Sequence, residues 1–262
     1  MRRSLKSALL TVVSAPKVPT QTKLTLDLAS IETTFADVFV DPSIVEALQT
    51  IVSLPLLFPS YFKSGVLAKE ATGGILLYGP PGTGKTMLCR ALAKTSKSRM
   101  IHIKPSDIND KCVGESEKKV AAVFELAYKI APCIVFIDEV DSLFSSRDGS
   151  TKTWDRNIVP DANDSLQGMD GLGSAKKNRE SNITIVGATN RPFDLDLAIL
   201  RRMPRKIFVD MPDPQMRKGI LGSYLKHEDV EEGVSIDRLA METEGFSGSD
   251  LKSESSHTRA VQ

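Results

Sequence analysis

Gly79-Pro80-Pro81-Gly82-Thr83-Gly84-Lys85-Thr86 fits the pattern G-x-x-x-x-G-K-[ST], with a short apolar run, Ile75 to Tyr78, before it and a segment of helical periodicity, Thr86 to Lys97, after it. A strand that breaks into a glycine-rich turn and re-forms as a helix turns successive backbone N–H groups inward around phosphate oxygens. In such a turn Lys85 neutralises the β- and γ-phosphates, the Thr86 hydroxyl is a ligand for Mg²⁺, and the helix N-terminus adds a favourable dipole. A glycine-rich turn that binds nothing is the alternative, and the strand and helix on either side disfavour it.

Working outward, further short apolar runs lie at Met100 to Ile103, Cys133 to Ile137, Ile183 to Ala188 and Ile207 to Val209, with a second helical stretch at Glu117 to Ile130. Runs of this length, rich in β-branched residues, read as strands buried on both faces. Their alternation with helices predicts an α/β fold, a mostly parallel sheet covered on both sides. Beyond Pro212 the pattern is helical, with Met216, Ile220 and Leu221, then Ile236, Leu239 and Ala240, which predicts a small helical appendage.

Two more strands end in residues suited to phosphate chemistry. The run Cys133 to Ile137 closes on Asp138-Glu139, and acids at the C-terminal end of a buried strand face the crevice where open α/β sheets bind ligands. Asp138 is suited to hold Mg²⁺ through its water shell, and Glu139 to polarise a water for in-line attack on the γ-phosphate. Asp141 reads as solvated or salt-bridged. The run Ile183 to Ala188 leads into Thr189-Asn190-Arg191-Pro192, where the Asn190 amide could hold the attacking water and sense the γ-phosphate, although Asn also begins many turns. Arg201, Arg202, Arg205 and Lys206 crowd ahead of the last strand; such a cluster is either a solvated face or, in an oligomer, a source of an arginine for a neighbour's nucleotide.

Composition narrows the classes. With 262 residues, 41% of them hydrophobic, the chain is long enough for one large or two modest domains. Thirty-four Lys plus Arg against thirty-three Asp plus Glu leave a formal charge of +1, so no global field favours nucleic acid or anionic lipid. No apolar run approaches the roughly 20 residues needed to span a bilayer. Cys89, Cys112 and Cys133 are too scattered for a disulfide framework or a zinc knuckle and read as small hydrophobes in a reducing compartment. From Met1 to Leu26 there is no acidic residue, while Arg2, Arg3, Lys6, Lys17 and Lys23 are basic; this fits a mitochondrial presequence or a disordered tail equally well. Ordered structure is expected to begin near Phe35, followed by a helix capped at Asp41-Pro42-Ser43 with Ile44, Leu48, Ile51 and Val52 at helical spacing. The expected organisation is a targeting or disordered segment at 1–34, a phosphate-binding α/β domain at 35–211, and a partial helical appendage with a polar tail at 212–262.

Taken together, these motifs resemble the AAA ATPases over roughly Phe35 to Leu251. Gly79 to Thr86 matches the family's Walker A, Ile134 to Glu139 its Walker B, and Asn190 in Gly187-Ala188-Thr189-Asn190-Arg191-Pro192 its sensor 1. Ala198 to Arg205 is similar to the mitochondrial outer-membrane protein-extracting members, and Phe35-Ala36-Asp37-Val38 to fungal-type mitochondrial ones; the katanin and spastin branch is close by. Gly245 to Leu251 resembles the segment that starts the lid and touches adenine. The resemblance implies ATP and Mg²⁺ as cofactors, and Asp37, Val38, Met87, Gly248 and Ser249 beside the nucleotide, with the whole of Gly79 to Thr86. It implies Thr86 and Asp138 at the metal, and Glu139, Asn190 and Arg205 in catalysis with Lys206 as the second finger position. It also implies a hexamer that pulls polypeptide through its pore, with no nucleic acid as partner and a mitochondrial location; a cytoplasmic one is the alternative.

Several departures from the family bear on mechanism. Its first pore loop offers an aromatic residue, whereas Lys111-Cys112-Val113-Gly114-Glu115 has none and so offers less stacking surface. The finger pair is Arg205-Lys206 instead of two arginines, and Pro160 interrupts the helical stretch Trp154 to Gln167. Lys252 to Gln262 is polar nearly throughout, which predicts no helical face there, exposed apolar surface on Leu239, Phe246 and Leu251, and weakened assembly. Two functions are therefore weighed: an ATP-hydrolysing remodeller of proteins, and an ATP-dependent assembly or regulatory module with little translocation. A small GTPase is disfavoured because no N-K-x-D stretch is present, and a nucleic-acid motor by the balanced charge.

Overall fold

The computed structural model describes residues 25–27, 33–62, 74–108, 115–143, 182–195, 197–226 and 234–257. Among them one sheet has the order β1-β3-β4-β5-β2-β6, with β1 at Thr25–Asp27, β2 at Gly74–Tyr78, β3 at Arg99–Ile103, β4 at Cys133–Ile137, β5 at Ile183–Thr189 and β6 at Arg205–Phe208. Strands β2 to β6 are parallel, as the alternation of strand and helix predicts, and β1 lies antiparallel on the β3 edge. The principal helices are α1 at Pro42–Leu48, α2 at Lys85–Thr95, α3 at Glu115–Ile130, α4 at Leu197–Arg202, α5 at Pro214–Leu225, α6 at Ile236–Glu242 and α7 at Gly248–His257.

Strand alternation sorts the core into two layers, one on each face of the sheet. Ile75, Leu77, Ile134 and Phe136 turn toward α2 and pack with Leu88, Cys89 and Leu92. Leu76, Cys133, Val135 and Ile137 turn the other way, toward Val123, Phe124 and Ala127 of α3 and Ile199 of α4. α1 is capped as its sequence predicts, with Asp41 Oδ1 accepting from the Ser43 amide at 2.8 Å. The chain then winds through a wider π turn, Gln49–Ser53, into Leu54–Leu57, and the spacing of Leu48, Val52 and Leu56 keeps one buried stripe against the α2 layer. Cys89 and Cys133 are buried thiols. Burial pushes Cys133 up to about 12 and raises Cys89 as well, so both stay protonated and pack as small hydrophobes.

The structure departs from the sequence expectations in three places. Order appears ahead of Phe35, where Thr25–Asp27 pairs with Met100 to His102 of β3. β6 begins at Arg205 instead of Ile207, because Ile75 and Leu76 of β2 offer ladder partners to Arg205 and Lys206; on a sheet edge, charged residues sit in a strand without being buried. The third departure is α7, which runs through the polar stretch to His257. Its start is a capping box: the Ser247 amide donates to Asp250 Oδ2 at 2.9 Å and the Asp250 amide to Ser247 Oγ at 3.3 Å. Leu251 is fully buried with Leu221 and Ala240, while Leu239 and Phe246 pack against that cluster, so the expectation of exposed apolar surface at these three residues is overturned. These residues therefore leave no apolar face that would weaken assembly.

Helices α5, α6 and α7 thus have an apolar centre of their own. Arg217, buried on α5, ties that helix to α6 and to the segment ahead of it: its Nε donates to the Ala240 carbonyl and its Nη1 to the Pro212 carbonyl, each at 2.9 Å. No helix among the described residues is long and apolar enough to cross a membrane. The expected pore loop at Lys111, Cys112 and Val113, the Pro160 stretch, and most of the 1–34 segment lie outside the described residues.

Candidate functional site

The loop after β2 is built by its glycines. Gly79 has φ +150°, and a Cβ there would run into the Val209 carbonyl of the strand-to-lid connection. Gly82 has φ +75°, and a Cβ there would occupy the positions of the Ser249 and Ser247 hydroxyls, while the Ser249 amide donates to the Gly82 carbonyl at 3.3 Å. The loop and the start of α7 are therefore in direct contact. Gly84, at φ +86°, has open space where its Cβ would be. Gly84→Ala is expected to cost only the backbone strain of a left-handed alanine, about 1–2 kcal/mol, whereas Gly82→Ala should cost that plus the displaced lid contact. Chemical denaturation of the two variants checks this; equal destabilisation would mean that α7 does not lean on the loop.

Lys85 sits at the first position of α2, buried, with its ammonium donating to the Gly79 carbonyl at 2.9 Å, the Pro80 carbonyl at 2.6 Å and Thr83 Oγ1 at 3.4 Å. Burial lowers its pKa and the nearby Asp138 carboxylate partly offsets this. Gly79 and Pro80 thus hold the lysine from behind, while Gly82, Thr83, Gly84, Lys85, Thr86 and Met87 line a cavity of about 470 Å³. Pro81 belongs to the loop but not to that lining.

At the end of β4, the Asp138 amide continues the parallel ladder by donating to the Ile103 carbonyl at 2.9 Å. Its carboxylate accepts from Thr86 Oγ1 at 3.2 Å and from the Glu139 amide at 3.0 Å, and His102 Nε2 faces the same Oδ2 at 3.5 Å. Burial raises the Asp138 pKa, but His102, the Glu139 amide and the Thr86 hydroxyl together outweigh burial and hold the carboxyl below its ordinary value. It is therefore ionised at neutral pH. The chain then turns through Glu139 at φ +47°, a left-handed conformation in a residue with a Cβ. Such residues are sparse and costly, and they cluster at working sites. The turn is held by the Asp138 ladder bond and by the Ser142 amide donating to the Glu139 carbonyl at 2.9 Å, and Glu139 is left exposed on the cavity wall.

The end of β5 completes that wall. Thr189 Oγ1 donates to Asp141 Oδ1 at 2.5 Å and accepts from the Arg191 amide at 2.9 Å, so Asp141 is a buttress for the β5 terminus more than a solvated acid. The Gly79 amide donates to the Thr189 carbonyl at 3.3 Å, and Asn190, the residue after β5, lines the same cavity. Asp37 and Val38 close it on the far side from a 3₁₀ turn, Phe35–Asp37, in which Asp37 Oδ2 accepts from both the amide and the hydroxyl of Thr34 at 2.7 Å. Those bonds keep the Asp37 pKa low.

The cavity thus gathers Asp37, Val38, Gly82 to Met87, Asp138, Glu139, Asn190, Gly248 and Ser249. Phe39, Asp210, Pro212, Ile220, Ser223, Tyr224 and Lys252 also line it and were not expected. Ile220 and Tyr224 stand one helical turn apart on α5, so the periodicity that marked Ile220 as apolar also contained the signal for Tyr224. Lys252 carries no apolar periodicity of its own and enters the lining only because α7 continues through it. Arg205 and Lys206 are not in the cavity: both are exposed on β6, and Arg205 pairs with Ile75, at the opposite end of β2 from the phosphate loop.

A family model described as "ATPase family associated with various cellular activities (AAA)" matches residues 75–211, from β2 through β6. The chain belongs to the AAA family. An outer mitochondrial transmembrane helix translocase of Danio rerio is 39% identical over 227 residues, which are 87% of this chain and 61% of that protein. The chain therefore spans about 61% of the length of such relatives. Among solved structures, the FIGL-1 AAA domain in complex with ADP is 33% identical, with a TM-score of 0.74 over 88% of this chain and 73% of that one. A structure described as the basis for katanin self-assembly is 33% identical, with a TM-score of 0.69 over 84% and 68%. This AAA domain has the parallel sheet and flanking helices of those neighbours.

Proposed function

We propose that this AAA domain binds ATP with Mg²⁺, hydrolyses it, and spends the cycle on remodelling polypeptide, in particular extracting proteins from mitochondrial membranes. The observation that carries the reading is the convergence of Lys85, Thr86, Asp138, Glu139 and Asn190, from three separate strand ends, on one cavity. Thr86 and Asp138 fit a hard divalent cation: they are oxygen donors, 3.2 Å apart, and the carboxylate is ionised. Among the described residues no cluster of three His, Cys, Asp or Glu is assembled, as suits Mg²⁺, which keeps waters and shares its ligands with substrate phosphates. When bound there, the ion would neutralise charge building on the β- and γ-phosphate oxygens.

The protein's own groups do the rest. Lys85 turns its ammonium to the β- and γ-phosphates. The Asn190 amide orients a water in line with the γ-phosphorus, and Glu139 accepts that water's proton as the oxygen attacks and the bond from phosphorus to the ADP oxygen breaks. Asp37, Val38, Gly248 and Ser249, with Tyr224 and Ile220, surround the base and ribose, so α5 and α7 couple nucleotide occupancy to lid position. We read 35–211 as the ATPase body and 212–262 as the lid, and 1–34 as a targeting segment. The katanin structure's description as self-assembly, and the name of the Danio rerio relative, support a hexamer and a membrane-embedded polypeptide as substrate.

Lys85→Ala is expected to abolish useful ATP binding, with affinity falling about 100-fold or more, since charge-assisted hydrogen bonds to two phosphates are lost. Titration with a fluorescent ATP analogue checks it. For the coupled function, steady-state ATPase is measured across protein concentration with and without a detergent-solubilised polypeptide bearing one apolar helix. Stimulation by the polypeptide supports extraction. Hydrolysis that rises with protein concentration but ignores the polypeptide supports the second reading, an ATP-dependent assembly module, which the lack of an aromatic residue in Lys111-Cys112-Val113-Gly114-Glu115 favours.

A further inference from the structure

His102 is the one buried polar side chain of β3, and its place follows from the sheet's own geometry. It pairs in register with Phe136 of β4, and Asp138 lies one alternation further along the same face. The imidazole is buried, its ring 5.1 Å from that of Phe136, and Nε2 has no hydrogen-bond partner at good distance, only Asp138 Oδ2 at 3.5 Å. A buried donor without a partner is costly, and here the nearest group that could satisfy it is the carboxylate assigned to the metal. The other two donors to that carboxylate leave this direction open: the Glu139 amide reaches Oδ1 and Thr86 approaches Oδ2 from α2.

We propose that His102 is a positioning residue for Asp138: its imidazole holds Oδ2 through Nε2 from inside the sheet and so presets the carboxylate for the cation. A backbone ladder bond fixes the main chain of Asp138, but a carboxylate still rotates about its last two bonds, and three donors around it define one orientation. Partners that orient a metal-holding group in this way control affinity for the metal strongly. An apolar residue in the same place would pack against Phe136 equally well and leave Asp138 held only by Thr86 and Glu139.

The inference rests on the reading of Asp138 as the cation-holding acid, and the test separates the two. In the full chain, His102→Phe keeps the aromatic packing, His102→Leu tests a smaller apolar side chain in case Phe does not fold, and His102→Gln restores a donor near the Nε2 position. Binding of a fluorescent ATP analogue without divalent metal, and the Mn²⁺ affinity of the nucleotide complex by electron paramagnetic resonance, are read for each variant beside Asp138→Asn. Expected are unchanged metal-free nucleotide affinity, Mn²⁺ affinity weakened about tenfold in His102→Phe and His102→Leu, and most of it regained in His102→Gln. A loss of thermal stability in the apolar variants with unchanged Mn²⁺ affinity would overturn the inference and leave His102 a core residue. Unchanged Mn²⁺ affinity in Asp138→Asn would overturn the underlying reading instead.

Discussion

Glu139→Gln should bind ATP with near-normal affinity and retain it, while turnover falls about 10²–10⁴-fold, the range a positioned general base supplies. The amide matches the carboxylate in size and in hydrogen bonding but has no basic oxygen for the water's proton. Its backbone setting makes the comparison clean: Glu139 is exposed on the cavity wall at φ +47°, and glutamine bears the same left-handed strain as glutamate, so fold and loop geometry are expected to persist. Asp138, held by the Thr86 hydroxyl and the backbone amide of residue 139, is untouched. Equilibrium titration with ATP, together with single-turnover hydrolysis of radiolabelled ATP, reads binding and chemistry separately. Near-normal turnover would remove Glu139 from the chemistry and leave Asn190 alone beside the attacking water.

How far the fold was legible depended on how each element is stabilised. Four of the five parallel strands, β2 to β5, announce themselves because they are buried on both faces: Ile134, Val135 and Phe136 have no alternative but a hydrophobic run. The phosphate loop was legible because its glycines answer specific obstacles, the Val209 carbonyl at Gly79 and the two serine hydroxyls at Gly82. Elements held by something other than apolar burial were not legible. The start of β6 is held by the β2 edge, so Arg205 and Lys206 carry no strand signal. α7 is held by the Ser247–Asp250 capping box and one anchor, Leu251, and a period search over Lys252 to Gln262 starts past both. The site shows the same division: residues whose chemistry is intrinsic to a motif, such as Lys85 or Asn190, could be read in one dimension. His102, Thr189 with Asp141, and Tyr224 matter through what stands across from them in the sheet or lid.

Arg205→Ala should bind ATP normally and hydrolyse it at least about 10³-fold more slowly, as expected for an arginine supplied to a phosphoryl-transfer site from outside. The register of β6 is the reason to place it outside. Arg205 stands opposite Ile75, three residues before Tyr78 and the loop that follows. At about 3.3 Å of rise per residue, its backbone lies on the order of 10 Å back along the sheet from the subunit's own phosphate loop. An exposed guanidinium at that end faces a neighbour more readily than its own cavity. Strand alternation turns Lys206 to the opposite face from Arg205, so the pair does not act as twin fingers on one nucleotide, and Lys206→Ala is expected to have a much smaller effect. A lysine also lacks the planar fork of donors that matches phosphate oxygens. Mixing decides whether the arginine works in trans. Arg205→Ala subunits keep an intact cavity and Lys85→Ala subunits keep an intact arginine, so an interface between them contains one complete site. Activity should reappear on mixing two inactive preparations and should peak near equal proportions. Fluorescence energy transfer between labelled subunits establishes that they co-assemble. Co-assembly with no recovery of hydrolysis would show that Arg205 supports the sheet edge of its own subunit and takes no part in a neighbour's reaction.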